Sequence, residues 1–257
     1  MSEAPLLRVH GVTVSYGRGR RAKPAVRDAD LSVAAGQIVA VVGESGSGKS
    51  TLARAIVGIL TPDHGSIEFA GAALPARRTA ETRRAIQMVF QDPRSSLNPR
   101  MSVRQVVTEA WRTHPSTMPP DIESGLRALL DRVGLPAGVL DRVAGQLSGG
   151  QAQRVSIARA IAISPRLLVC DEAVSALDVS VQTQILALLL RLRAELGLSI
   201  LFITHDLGVV RQIADHVAVM HDGRIVEQGA ADDIFAHPRD DYTMALLDAV
   251  LDLAPDR

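Results

Sequence analysis

Gly43-Glu44-Ser45-Gly46-Ser47-Gly48-Lys49-Ser50-Thr51 lies between an apolar run, Ile38 to Val42, and a helical pattern that includes Leu52, Ala55 and Ile56. The stretch has the spacing glycine, four residues, glycine, lysine, then serine or threonine. It also has the context that spacing demands: a buried strand, a glycine-rich turn and a helix start. Gly43, Gly46 and Gly48 let the backbone curl with its amides inward, and the helix beginning near Lys49 adds unpaired N–H groups and the positive end of its dipole. Lys49 supplies a full positive charge for the β and γ phosphates, and the Ser50 hydroxyl suits a Mg²⁺ ion. The stretch reads as a cradle for a nucleoside triphosphate.

The rest of the composition is that of an ordinary globular protein. With 257 residues and 47% apolar content, the chain can bury a substantial core in one large α/β domain or two closely joined lobes. Lys+Arg and Asp+Glu both number 28, so no overall basic field is available to hold nucleic acid. Lys23 and Lys49 are the only lysines among the 28 positive residues, which sets the lysine of the glycine turn apart. Cys170, the single cysteine, sits in an apolar run and reads as a buried thiol of a reducing compartment. No apolar stretch approaches the roughly 18 residues that span a bilayer, and the N-terminus lacks a basic-then-apolar signal. Any dealings with a membrane are expected to go through a partner.

Along the chain, Leu7, Val9, Val12 and Val14 predict two short strands interrupted by Gly11 and ending at Tyr16. Tyr16 is either a packed strand residue or a face for a nucleotide base. The segment Gly17 to Pro24, with Arg18, Arg20, Arg21 and Lys23, reads as a solvated loop. Gly58 is the expected stop of the helix after the glycine turn, and Ser66 to Phe69 a further strand. A polar helix over Thr79 to Arg84 precedes an apolar strand, Ile86 to Phe90, which Gln91 closes. Asp92 to Arg100 is turn chemistry throughout. Residues 102–146 then show helical periodicity broken by Pro115, Pro119, Pro120 and Pro136, the mark of a helical insertion. Strand patterns resume at Leu167 to Cys170, Ile200 to Ile203 and Val217 to Met220, with a helix over Val179 to Leu196. Asp222-Gly223 is a two-residue hairpin signal, and Tyr242 to Leu253 a short amphipathic helix.

Two further stretches carry chemistry. The strand ending in Asp171-Glu172 places two acids where a phosphate-loop fold keeps its metal-shell carboxylate and the group that orients or deprotonates water. The bland reading is a solvated strand end. Ser148 with Gln151 three residues on is a capping box before the helical pattern Val155, Ala158, Ile161, and Gly149-Gly150 leave amides uncovered at that helix start. It is either a second anion site or only a well-capped helix. His205, at a strand end beside Asp206, is either a packed histidine or part of the site.

The ordered set of Gly43 to Thr51, Gln91, Leu147 to Gln151, Leu168 to Glu172, Ser175-Ala176-Leu177-Asp178 and His205 resembles the ATP-binding cassette family of transport ATPases. The resemblance covers about residues 6–238. It implies an α/β fold with a P-loop RecA-like core, an N-terminal antiparallel β subdomain and an inserted α-helical subdomain. The core would take about residues 1–91 and 164–238, the helical subdomain about 92–163 and a short tail 239–257. It further implies that Tyr16 stacks on adenine and that Lys49, Ser50 and Thr51 meet phosphates and Mg²⁺. Gln91 would sense Mg²⁺ and the γ phosphate, Asp171 would support the metal, Glu172 would be the general base and His205 the γ-phosphate switch. Ser148 and Gly150, within the run Ser148-Gly149-Gly150-Gln151, would reach the γ phosphate of an opposite subunit, with Asp178 bridging the interface.

The runs Gln91-Asp92-Pro93, Ser96-Leu97-Asn98-Pro99, Ala176-Leu177-Asp178-Val179-Ser180 and the tail Ile234-Phe235-Ala236-His237-Pro238 to Tyr242-Thr243-Met244-Ala245-Leu246-Leu247 resemble the peptide and nickel uptake branch. The resemblance implies an ATP-hydrolysing subunit of a bacterial importer of peptides, nickel or a metal chelate. It would sit peripherally at the cytoplasmic face of the inner membrane, paired with itself or a similar ATPase. Its partners would be transmembrane permease subunits and, indirectly, a solute-binding protein, with no nucleic acid. Three departures stand out: Ala173 where proline is common, Ala152 where a basic residue is frequent, and an end at Arg257 without a longer cysteine-bearing extension. The last leans towards nickel or metal-chelate members. The competing implication is an accessory ATPase of a soluble enzyme complex such as carbon-phosphorus lyase.

Overall fold

A computed structural model of the chain describes residues 4–17 and 23–251. They fall into two compact units, one from Met1–Arg78 with Ser199–Arg257 and one from Thr79–Leu198.

The first unit begins with strand β1 (Leu7–Tyr16), β2 (Lys23–Val33), β3 (Ile38–Val42), helix α1 (Lys49–Val57), β4 (His64–Phe69) and β5 (Ala72–Ala73). An antiparallel sheet runs in the order β2-β1-β4-β5. β1 is one continuous strand and not the two short ones expected, because a bulge at Gly11 shifts its register between Val9 and Val12 without ending the pairing to β2 or β4. β2 went unread in the sequence. Its inward residues Val26, Ala29, Leu31 and Val33 change phase at Asp28, whose φ of 51° inserts a residue and spoils strict alternation. Pro24 is tolerated because β2 is an edge strand. The loop expected over Gly17 to Pro24 therefore ends at Lys23; its residues 18–22 lie outside the described residues.

The second unit holds α2 (Ala80–Ala85), β6 (Ile86–Val89), α3 (Pro93–Ser96), α4 (Val103–Thr113), α5 (Ile122–Arg132), α6 (Gly149–Ile161), β7 (Leu167–Asp171) and α7 (Val179–Leu196). β6 and β7 pair in parallel. The segment read as pure turn contains one helical turn, α3, because the Asp92 carboxylate accepts the Arg94 amide at 2.9 Å and Pro93 presets the first φ. The helical unit is packed through Leu126, Leu130, Val106, Val107 and Trp111, whose indole N–H donates to the Ala162 carbonyl at 2.9 Å.

The chain returns to the first unit with β8 (Ser199–Ile203), α8 (Leu207–Ile213), β9 (His216–His221), β10 (Arg224–Ala230), α9 (Ala231–Ala236) and α10 (Asp241–Leu251). β3 is parallel to β8 on one side and β9 on the other, and all five of its residues are buried. A strand covered on both faces reads as an unbroken apolar run, which is why Ile38 to Val42 was legible without alternation. The β9–β10 hairpin turns on Asp222 and Gly223, both at positive φ, as the Asp-Gly pair predicts.

Candidate functional site

β3 delivers the glycine turn to the start of α1. Gly43 (φ 147°) and Gly48 (φ 108°) are fixed by crowding as much as by curvature. A Cβ on Gly43 would lie 2.0 Å from the Met220 carbonyl oxygen, and one on Gly48 2.2 Å from that of Ala25. Gly48 is also the N-cap of α1 and makes no side-chain cap bond, so the helix start is left for another acceptor. Lys49 is 5% exposed, and its ammonium donates to the carbonyls of Gly43 and Glu44, both at 2.7 Å, and to Ser47 Oγ at 3.3 Å. An uncapped helix start beside a cation held by three oxygens fits a polyanion. Ser50 and Thr51 follow in the first turn. Tyr16 is 46% exposed at the end of β1, with its hydroxyl 3.2 Å from Thr51 Oγ1. Its position is a projecting ring beside the turn and not a packed strand residue.

Two elements hold the turn from outside. The Glu44 amide donates to the Tyr242 hydroxyl of α10 at 3.1 Å, and the Gly223 amide of the β9–β10 turn donates to the Ser47 carbonyl at 2.9 Å. Tyr242 stacks on His221, ring centroids 3.9 Å apart, and burial pushes its phenol pKa up, which keeps the hydroxyl protonated. His205 is exposed just beyond β8, whereas the Asp206 carboxylate is engaged as the cap of α8 through the Val209 amide.

In the second unit, Asp171 is 3% exposed at the end of β7 and Glu172 follows with φ 50°. A left-handed glutamate is a strained conformation that the surroundings must enforce, here with Ser175 donating from both amide and hydroxyl to the Glu172 carbonyl. The neighbouring Cys170 is fully buried, as read, and that burial, then the Asp171 charge, pushes its thiol pKa far up. Gln91 is exposed beyond β6. The capping box at α6 is present as expected: the Gln151 amide donates to Ser148 Oγ at 3.3 Å and the Ser148 amide to Gln151 Oε1 at 3.1 Å. Asp178 is the exposed N-cap of α7 and its carboxylate makes no cap bond.

Sequence reasoning missed the groups that steady these elements. Arg94 donates to the Leu147 carbonyl at 3.2 Å, just ahead of α6, and Arg159 in the last turn of α6 donates to the Ser96 carbonyl at 2.9 Å, so the loop after Gln91 is tied to both ends of that helix. Tyr242 was legible only as part of a tail pattern. Nothing in its local sequence points to a turn almost 200 residues earlier.

A model of the family described as ABC transporter matches residues 26–175, more than half of the chain. The chain belongs to the ABC transporter family. As an ABC ATPase it binds ATP and couples its hydrolysis to transport. It is 45% identical over 236 residues to the oligopeptide transport ATP-binding protein OppF of Salmonella typhimurium, covering 90% of this chain and 71% of that one. With OppF of Haemophilus influenzae it shares 44% over 230 residues, 88% of this chain and 69% of the relative. Among solved structures, cbiO1 of Clostridium perfringens, part of the ABC transporter complex cbiONQ, superposes with a TM-score of 0.80 at 31% identity, covering 91% and 92% of the two chains. An ATP-binding cassette solved as a dimer with ADP and Pi gives 0.78 at 28% identity, covering 88% and 98%. The ABC ATPase is thus an α/β P-loop protein, as the family resemblance implied.

Proposed function

We propose that this chain energises a bacterial peptide importer, hydrolysing ATP in a dimer of ATPase subunits that docks at the cytoplasmic face of the inner membrane on permease subunits. The observation that carries the nucleotide part is Lys49 folded onto carbonyl oxygens at an uncapped helix start. The peptide part rests on relatives named as oligopeptide transport proteins at 45% and 44% identity. The lean towards nickel or metal chelates rested only on where the chain ends, and peptides are the better supported cargo. Among the described residues no helix is long and apolar enough to cross a membrane, which agrees with attachment through a permease.

In this reading the Lys49 ammonium exchanges its loop oxygens for phosphate oxygens, the amides at the start of α1 hold the rest of the triphosphate, and Tyr16 stacks on the base. Ser50, Gln91 and Asp171 are hydroxyl, amide and carboxylate oxygen donors, the set a hard cation takes, and they would hold Mg²⁺. When bound, Mg²⁺ supplies neutralisation of phosphate charge. Glu172 takes a proton from water as its oxygen attacks the γ phosphorus and the bond to the β-phosphate oxygen breaks, releasing ADP and phosphate. Gln91 and His205 respond to the γ phosphate. Ser148 and Gly150 serve the triphosphate bound by the partner subunit, and Asp178 the dimer contact. The Ser148 hydroxyl can donate to a phosphate while still accepting from Gln151, because it carries one donor and two acceptor sites.

In the assembled transporter, Glu172→Gln should lower ATPase activity by about 100-fold or more while ATP binding persists. A full hydrolysis rate in that variant removes Glu172 as the base.

A further inference from the structure

The tail around Tyr242 bears directly on the phosphate loop. α10 is fixed at three points within its own unit. The Glu227 carboxylate of β10 accepts the amides of Arg239 at 2.9 Å and Asp240 at 3.1 Å, just ahead of the helix. Burial would raise the pKa of this carboxyl, but the two amide bonds and the nearby Arg239 charge act against it, and the net shift is downward, which favours the charged form. Leu246 and Leu247 pack on a buried cluster with Val42, Val219 and Ile234. Tyr242 then stands between the His221 ring and the Glu44 amide.

The phosphate loop is therefore gripped on both sides of the same two residues. Glu44 gives its amide to Tyr242 and its carbonyl to Lys49, while Ser47 gives its carbonyl to Gly223 and its hydroxyl to Lys49. When Lys49 turns to a phosphate it releases the inner contacts. The outer ones remain, and the outer tie on Glu44 is the tyrosine hydroxyl.

We propose that α10 braces the phosphate loop and that the Tyr242 hydroxyl is a positioning group, holding the Glu44 peptide in the orientation ATP requires. The proposal rests on the nucleotide reading above. Preorganisation is the physical gain: a loop already held in its binding shape loses less freedom when the triphosphate arrives.

The test is Tyr242→Phe in the 257-residue chain, with equilibrium binding of a fluorescent ATP analogue and amide exchange followed by NMR. Phenylalanine keeps the stack on His221 and the apolar packing and removes only the hydroxyl. The dissociation constant should rise about fivefold, the loss expected for one net hydrogen bond. The Glu44 amide should exchange about fivefold faster or more, while Leu246 and Leu247 keep their protection. An unchanged dissociation constant, an unchanged Glu44 amide, or a uniform loss of protection along α10 overturns the brace. Lys49→Ala separates the two claims. Wild-type binding that Lys49→Ala weakens strongly, with Tyr242→Phe indistinguishable from wild type, sinks the brace alone. No binding by the wild-type chain sinks the nucleotide reading and the brace with it.

Discussion

The two glycine-rich helix starts of this molecule are built to opposite rules. α1 opens on Gly48 with no side-chain cap, and its nearest cation, Lys49, is occupied with the carbonyls of its own loop. α6 opens on Ser148 with a complete capping box, so two of its polar groups are satisfied by Gln151 within the same turn. Both leave glycine amides near a helix dipole, but the N-cap of α1 supplies no side-chain acceptor whereas that of α6 does. A start that must bind a highly charged phosphate tail by itself stays uncapped. A start that only adds to a triphosphate held elsewhere can keep its cap, because one serine hydroxyl serves both. On the reading proposed above, the difference separates a site that makes affinity from one that completes a reaction.

The largest effect should come from removing the cation of the uncapped start. Lys49→Ala is expected to weaken ATP binding by about 100-fold, the scale of one or two charge-assisted hydrogen bonds, as measured by titration of the lone chain. Binding within a few-fold of wild type would mean that the bare amides of α1 are enough.

An intermediate effect is expected at the capped start. A Cβ on Gly150 would lie 2.6 Å from Val181 Cγ1 of α7, so Gly150→Ala must displace either the helix start or that valine. Affinity of the lone chain for ATP should hold, whereas ATPase activity of the assembled transporter should fall about 10- to 100-fold, the usual consequence of a misplacement near 1 Å. Adding Val181→Ala should recover part of the rate. Equal loss of binding in the lone chain would erase the division between the two starts.

The smallest effect concerns the cap itself. Ser148→Ala should cost about 1 kcal/mol of stability in urea unfolding, as loss of an N-cap hydroxyl usually does. A neutral result would show that the Gln151 carboxamide alone satisfies the start of α6.

Much of this could be read in the sequence because the signals were local. Ile38 to Val42, Gly48 before Lys49, Ser148 before Gln151 and Asp222-Gly223 each have their physics within a few residues. What resisted reading was non-local or phase-shifted. Gly11 and Asp28 put bulges into β1 and β2, so alternation broke in strands that nonetheless pair throughout. The turn after Gln91 held a helical turn because Asp92 capped it. The acid beside His205 proved to be the cap of α8.

The order of residues alone determined that the chain cradles phosphate, since amide curvature, a helix start and a lysine at fixed spacing need only a short segment. Tertiary structure alone decided how the cradle is held. Met220 and Ala25 explain why Gly43 and Gly48 admit no side chain, and Gly223 and Tyr242 secure Ser47 and Glu44. Those contacts bridge up to 198 residues of sequence. At such separations no periodicity or cap rule acts, and only the packing of α10 and the β9–β10 hairpin against β3 brings the groups within hydrogen-bond reach.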